Sequence, residues 1–173
     1  MGDIYEKVKD SLTALEKLTG FIPGWSGYQE RQTRRKADQL LRQTLAEKLA
    51  GQRRELDAAQ KDLINHGRVD LVDDVGSAVT QLQTFIDRIR LASYGYSGLF
   101  DAAKVNQAEL EQMYNFDVAL FQYLERLDAA AGHLREAIPS GEGMVEVIRI
   151  IQDICREANS TFDQREHIIL GSV

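Results

Sequence analysis

Apolar residues recur along this chain at intervals of three and four, the spacing of a helix face and not the alternation of a strand. Ile4, Val8, Leu12, Leu15 and Leu18 predict a first amphipathic helix, stopped by Gly20 and Pro23. A second is predicted from about Tyr28 to His66. Its inward face is Leu41, Leu45, Leu49, Leu56, Ala59 and Leu63, and Gly67 stops it. Ser26 and Gln29 have capping-box spacing at its start. Asp70 can cap a third helix carrying Leu71, Val75, Val79, Leu82, Phe85, Ile86 and Ile89. Asn106 and Glu109 form the next capping box, followed by Leu110, Met113, Tyr114, Leu120, Phe121, Leu124, Leu127 and Leu134. The break at Pro139-Ser140-Gly141-Glu142-Gly143 precedes a fifth helix. That helix runs through Val145, Val147, Ile148, Ile150, Ile151, Ile154, Cys155, Ala158, Phe162, Ile168 and Ile169. Its apolar arc is the widest, which predicts the most central position.

Connections of three to a dozen residues favour antiparallel neighbours. The expected fold is therefore all-α: an up-and-down antiparallel bundle of four to five helices in a single domain over residues 1–173. One helix, about 28–66, is long. At 1.5 Å per residue it would span roughly 60 Å. It would then protrude, bend near Gly51, or pair with another chain, so a homo-oligomer is one expected arrangement.

Composition bounds the class. A 173-residue chain with 43% hydrophobic and 28% charged residues is what a soluble globular domain requires. One cysteine cannot make an internal disulfide, and no Cys/His spacing suits zinc. There is no run of 18 apolar residues and no apolar signal core at the start. Glu6 stands where a myristoylation motif wants Ser or Thr. The expected compartment is the cytoplasm.

The net charge of −6 hides an asymmetry. Residues 28–69 hold ten Lys/Arg and six Asp/Glu, a balance of +4 against −10 elsewhere. On a helical wheel Arg31, Arg35, Arg42 and Arg53 fall within roughly 40° of one another, beside the apolar stripe. Such a face is either solvated or a contact for an acidic partner. A pI of about 5.1 argues against nucleic acid.

Two short segments match. Gly24-Trp25-Ser26-Gly27-Tyr28 and Gly95-Tyr96-Ser97-Gly98-Leu99 lie 71 residues apart, each between two predicted helices, as a duplicated helical hairpin would leave them. In an up-and-down bundle both fall at one end, together with the start of the second helix and the end of the fifth, at His167 and Ile169. Candidate partner-binding residues are therefore Trp25, Tyr28, Arg31, Arg34, Arg35, Tyr94, Tyr96 and Phe100, because aromatics and arginines concentrate in interfaces. The same residues would serve structure alone: glycines for tight turns, serines for caps, aromatics to plug the bundle end.

Motifs for chemistry are absent. Neither loop is a Gly-x-Ser-x-Gly elbow, and no phosphate-binding or dinucleotide fingerprint occurs. His66, His133 and His167 lie far apart without Glu-x-x-His spacing, and Cys155 sits among isoleucines as a core residue. No catalytic residue, metal or cofactor is expected. Asp101 and Asp117 stand out among aromatics. Burial near Arg31 or Arg35 would make either one an ion-pair partner first and a perturbed carboxylate second.

These features point to a non-enzymatic bundle that acts as a binding, adaptor or scaffold module for a protein partner through its aromatic end. The short amphipathic helix followed by a long, partly basic one, over residues 3–66, loosely resembles the start of phage-shock-type and ESCRT-III-type membrane-remodelling proteins. That resemblance implies the alternative of peripheral association with a membrane surface. A further alternative is a small-ligand carrier or enzyme with a pocket built from Tyr114, Phe116, Asp117 and Phe121 with Asp101.

Overall fold

A computed structural model describes residues 14–25, 27–28, 34–92 and 107–171. Helices are α1 (Ala14–Phe21), α2 (Arg34–Asn65), α3 (Val72–Leu91), α4 (Gln107–Ser140) and α5 (Met144–Gly171), with one 3-10 turn at Val69–Leu71 before α3. The fold is an all-α helical bundle, with no strand among the described residues. None of the described helices is long and apolar enough to cross a membrane.

Side-chain bonds to backbone carbonyls fix the directions of the helices. Gln60 Nε2 donates to Val72 O, and Arg42 Nη1 to Ile89 O, so α2 and α3 run antiparallel. Gln152 Nε2 donates to Asp74 O and Asn159 Nδ2 to Gln81 O, which sets α3 parallel to α5. Gln52 reaches Asp128, and Arg135 reaches Glu55, which sets α2 parallel to α4. Four helices thus close a ring in the order α2, α3, α5, α4, and α1 packs mainly on α4 outside it. The core inside the ring is leucine-, isoleucine- and phenylalanine-rich, including Leu45, Leu49, Leu82, Phe85, Leu120, Ile151 and Phe162.

The most enclosed helix is α4, not α5. Residues 113–121 of α4 are buried without interruption, because α2 and α5 flank it and α1 covers its outer side. On α5, Val145 and Ile150 stay exposed. The 32 residues of α2 span about 48 Å at 1.5 Å per residue. With its 34 residues, α4 lies alongside, so α2 does not have to protrude to account for its length.

Helix boundaries differ from the sequence expectation in physically simple ways. Tyr28 lies in the connection ahead of α2, and the predicted cap at Ser26 and Gln29 falls outside the described residues, as do Ile4, Val8, Leu12 and Asn106. Asp70 does not cap α3. Its carboxylate accepts from Arg68, and the chain enters α3 through the 3-10 turn instead. Gly67 does close α2, with its own N–H on Ile64 O and that of Arg68 on Leu63 O, the Schellman pattern. Pro139 sits within the last turn of α4 and not beyond it.

The helices also carry the 71-residue correspondence beyond the loops. That shift takes Leu56-Asp57-Ala58-Ala59 of α2 onto Leu127-Asp128-Ala129-Ala130 of α4, Leu63 onto Leu134 and Ala37 onto Ala108. Leu56, Ala59 and Leu63 are buried, and so are Leu127, Ala130 and Leu134. The α4–α5 hairpin therefore lies beside the α2–α3 hairpin in the same orientation, as stacked helical repeats do.

Candidate functional site

Near the end of the bundle where α2 begins and α5 finishes, the apolar core gives way to charge. Arg165 of α5 is fully buried and is the largest such side chain described. Its Nε donates to Asp117 Oδ1 of α4 at 2.7 Å, and its Nη2 donates to Asp38 Oδ1 of α2 at 2.8 Å. The other Asp38 oxygen accepts from Arg42 Nε at 2.7 Å, and Arg42 Nη1 continues to Ile89 O of α3 at 3.1 Å. Asp117 Oδ2 accepts the hydroxyl proton of Tyr28 at 2.7 Å. One layer therefore joins all four ring helices and the α1–α2 connection. The Arg165–Asp38 bond crosses the ring between α2 and α5, which are not neighbours in it.

Among the described residues Arg165, Arg42, Asp38 and Asp117 pair with one another, two charges of each sign. That balance is the condition under which a buried ionic group is tolerated. Burial still pushes the Asp117 carboxyl above its ordinary range, with Arg165 opposing the shift. Burial, reinforced by the Asp117 charge, holds the Tyr28 hydroxyl well above the usual tyrosine value. The layer is built to hold protons in place: Tyr28 donates, Asp117 accepts, and both oxygens of each aspartate are engaged.

Aromatic rings cover this layer. Trp25 meets Tyr28 edge-on, with centroids 5.2 Å apart, and Tyr114 edge-on at 5.9 Å. Phe21 stacks on Phe121 at 4.8 Å. Trp25 Nε1 donates to Ala37 O at 2.9 Å, Tyr28 N to the Tyr114 hydroxyl at 2.7 Å, and Arg34 Nε to Tyr28 O at 2.8 Å. Gly27 sits at φ +77°, where a Cβ would lie 2.7 Å from the Tyr114 hydroxyl and 2.8 Å from Leu15 Cδ1. Gly24, at φ +79°, has open space around it. Gly24→Ala should therefore cost only the left-handed backbone penalty of about 1–2 kcal/mol. Gly27→Ala adds a clash and should cost about 2–4 kcal/mol. Thermal melts of the two variants check this, and equal losses would mean that Tyr114 and Leu15 move aside freely.

The structure places the sequence candidates unevenly. Trp25 and Tyr28 are buried with their rings turned inward, and Arg34 is buried along the Tyr28 carbonyl. Of that set Arg35 is exposed, while Arg31, Tyr94, Tyr96 and Phe100 lie outside the described residues. The arginine stripe of the helical wheel is not one surface. Arg42 is drawn inward by Asp38 and the Ile89 carbonyl, and Arg53 pairs with Asp57. Asp117 is an ion-pair partner as anticipated, but its arginine is Arg165 and not Arg31 or Arg35. Asp101 lies outside the described residues. Of the residues considered for a ligand pocket, Tyr114, Asp117 and Phe121 are packed by Trp25, Tyr28, Arg165 and Phe21 of the chain itself, and Phe116 is buried. Cys155 is buried and its thiol is pushed up to about 12, so it stays protonated at neutral pH. His66, His133 and His167 are exposed, and the described residues contain no group of three or more His, Cys, Asp or Glu able to hold a metal.

Sequence reasoning missed Arg165, Asp38 and Arg42. A signal existed: each occupies an apolar-stripe position. Arg165 continues Ala158 and Phe162, Asp38 precedes Leu41 and Leu45, and Arg42 precedes Leu45 and Leu49. No family model, characterised protein or solved structure matches this chain.

Proposed function

We propose that the chain is a non-enzymatic helical-bundle module that binds a protein partner with an acidic face, using the end that carries the aromatic layer. The observation that supports this most is the character of the described surface there. Leu40 and Leu91 are 40% and 64% exposed. They lie at matching levels of α2 and α3, which the Arg42–Ile89 bond ties together. Lys36 stands one turn before Leu40 on α2 and Arg90 adjoins Leu91 on α3; both are exposed, as are Arg35 and, one turn before Leu91, Asp87. Exposed leucines bordered by cations suit a partner that offers apolar side chains within an acidic rim. The buried aromatics then act as the rigid floor of that surface and do not themselves touch the partner.

The test compares affinity recovery from native lysate by the wild-type chain, by Leu40→Glu/Leu91→Glu, and by Arg35→Glu/Lys36→Glu/Arg90→Glu. Circular dichroism would confirm the fold of each. Both variants should lose a partner that the wild type retains, and the wild-type contact should weaken as salt rises. An unchanged set of recovered proteins would overturn the proposal. Salt-sensitive sedimentation of the wild-type chain with anionic liposomes, abolished by the charge reversal, would replace a protein partner with a membrane surface.

A further inference from the structure

We propose that residues 14–25 together with 27–28 form a releasable strap, and that the stripe they cover on α4 accepts an amphipathic helix in trans. Three observations carry this. First, the ring of α2, α3, α5 and α4 closes without α1, which has eight described residues and packs mainly on α4. Second, the covered stripe is Tyr114, Asp117 and Phe121, spaced i, i+3 and i+7 on α4, the pattern of a helix-binding face. The strap meets it with Phe21, Trp25 and Tyr28, while Ala14, Leu18 and Ile22 form its own buried face at i, i+4 and i+8.

Third, departure of the strap leaves the ionic layer balanced. Arg165 keeps both aspartates and Arg42 keeps Asp38. What is lost is hydrogen bonding and not an ion pair: Tyr28 O–H on Asp117, the Arg165 Nη2 contact to the Tyr28 hydroxyl, Arg34 Nε on Tyr28 O, Tyr28 N–H on Tyr114, and Trp25 N–H on Ala37 O. Water can replace each of these at a bundle end. A segment with such a boundary opens as a unit at lower free energy than the core it leaves. The trans ligand is a short helix with small or branched apolar residues at i, i+4 and i+8, followed by an aromatic N–H or O–H donor. The inference is independent of the surface around Leu40 and Leu91, and charge reversal at Arg35, Lys36 and Arg90 should leave it unaltered.

Trp25 is the sole tryptophan and lies in the strap, so its emission reports strap docking directly. The full-length chain is titrated with urea while Trp25 emission and far-ultraviolet circular dichroism are followed together. The emission should shift to the red at lower urea than the helix signal falls. Tyr28→Phe, and separately Phe21→Ala, should lower the emission midpoint and leave the helix midpoint in place. A dye-labelled synthetic peptide with the sequence of residues 12–30 should bind full-length Tyr28→Phe about tenfold more tightly than wild type, since a larger fraction of molecules offers an open stripe. Coincident emission and helix transitions in the wild type and both variants would overturn the strap. Failure of the peptide to bind Tyr28→Phe once its emission has shifted would overturn the trans site.

Discussion

Replacing Arg165 with methionine is expected to destabilise the fold by about 3–5 kcal/mol, the typical penalty for removing one member of a buried ion pair. The loss falls on Asp117. Asp38 retains Arg42 at 2.7 Å, but among the described residues Asp117 keeps only the hydroxyl of Tyr28 and becomes a buried carboxylate without its arginine. Domains are stable by about 5–15 kcal/mol in total, so urea unfolding of Arg165→Met should show a midpoint far below wild type. Adding Asp117→Asn to that variant removes the stranded charge and should recover about 1–3 kcal/mol, a coupling that a double-mutant cycle reads directly. Arg165→Lys should fall between wild type and Arg165→Met. An ammonium cannot present the Nε and Nη2 fork that reaches Asp117 and Asp38 together. A methionine variant within about 1 kcal/mol of wild type would show that the layer is hydrated and not sealed.

That layer also marks where sequence patterning stopped. Leucine and isoleucine spacing located the four ring helices, because each buries one face and burial of that face is what a 3.6-residue period records. The connection containing Gly24 and Gly27 was legible for the same reason that it folds: both glycines adopt positive φ. Which partner an inward charge finds was not legible. Arg165 lies within Asp163-Gln164-Arg165-Glu166, a stretch that reads as solvated, and its two aspartates are 48 and 127 residues away in sequence. Pairing at such separations depends on rotation and stagger of packed helices, which no local window contains. The inward orientation of Trp25 and Tyr28 was not legible for the same reason. Aromatics beside glycine suit an interface or a plug equally well, and only the arrival of Asp117 and Ala37 beneath them turns the rings inward. Burial of α4 depended on α1 lying across it, a tertiary fact that the width of an apolar arc does not encode.

The second large effect is expected in alkali. Cys155 has a native thiol pushed from 9.0 up to about 12 by burial, and Tyr28 is held well above 10.0 by burial and by Asp117. Both are acids whose folded-state value exceeds the unfolded one. Below the unfolded value each is protonated in both states, and its stabilising contribution is fully present. As pH rises past 9.0 for Cys155, and past 10.0 for Tyr28, the unfolded chain sheds a proton that the native state retains. Stability then falls by about 1.4 kcal/mol per pH unit for each group. At pH 11 that is about 3 kcal/mol from the thiol, and the phenol adds a loss of the same sign. Tyr114, also raised by burial, adds in the same direction. Urea unfolding followed by circular dichroism at pH 8, 9.5 and 11 should therefore show a steepening loss, against a domain total of about 5–15 kcal/mol. Cys155→Ala removes the thiol without adding bulk, so its loss should begin nearer pH 10 and be shallower by about 1.4 kcal/mol per unit. A wild-type stability that stays flat from pH 8 to 11 would mean that water reaches Cys155 and Tyr28 in the native state. The same result would remove the ground for treating the Tyr28–Asp117 contact as sealed.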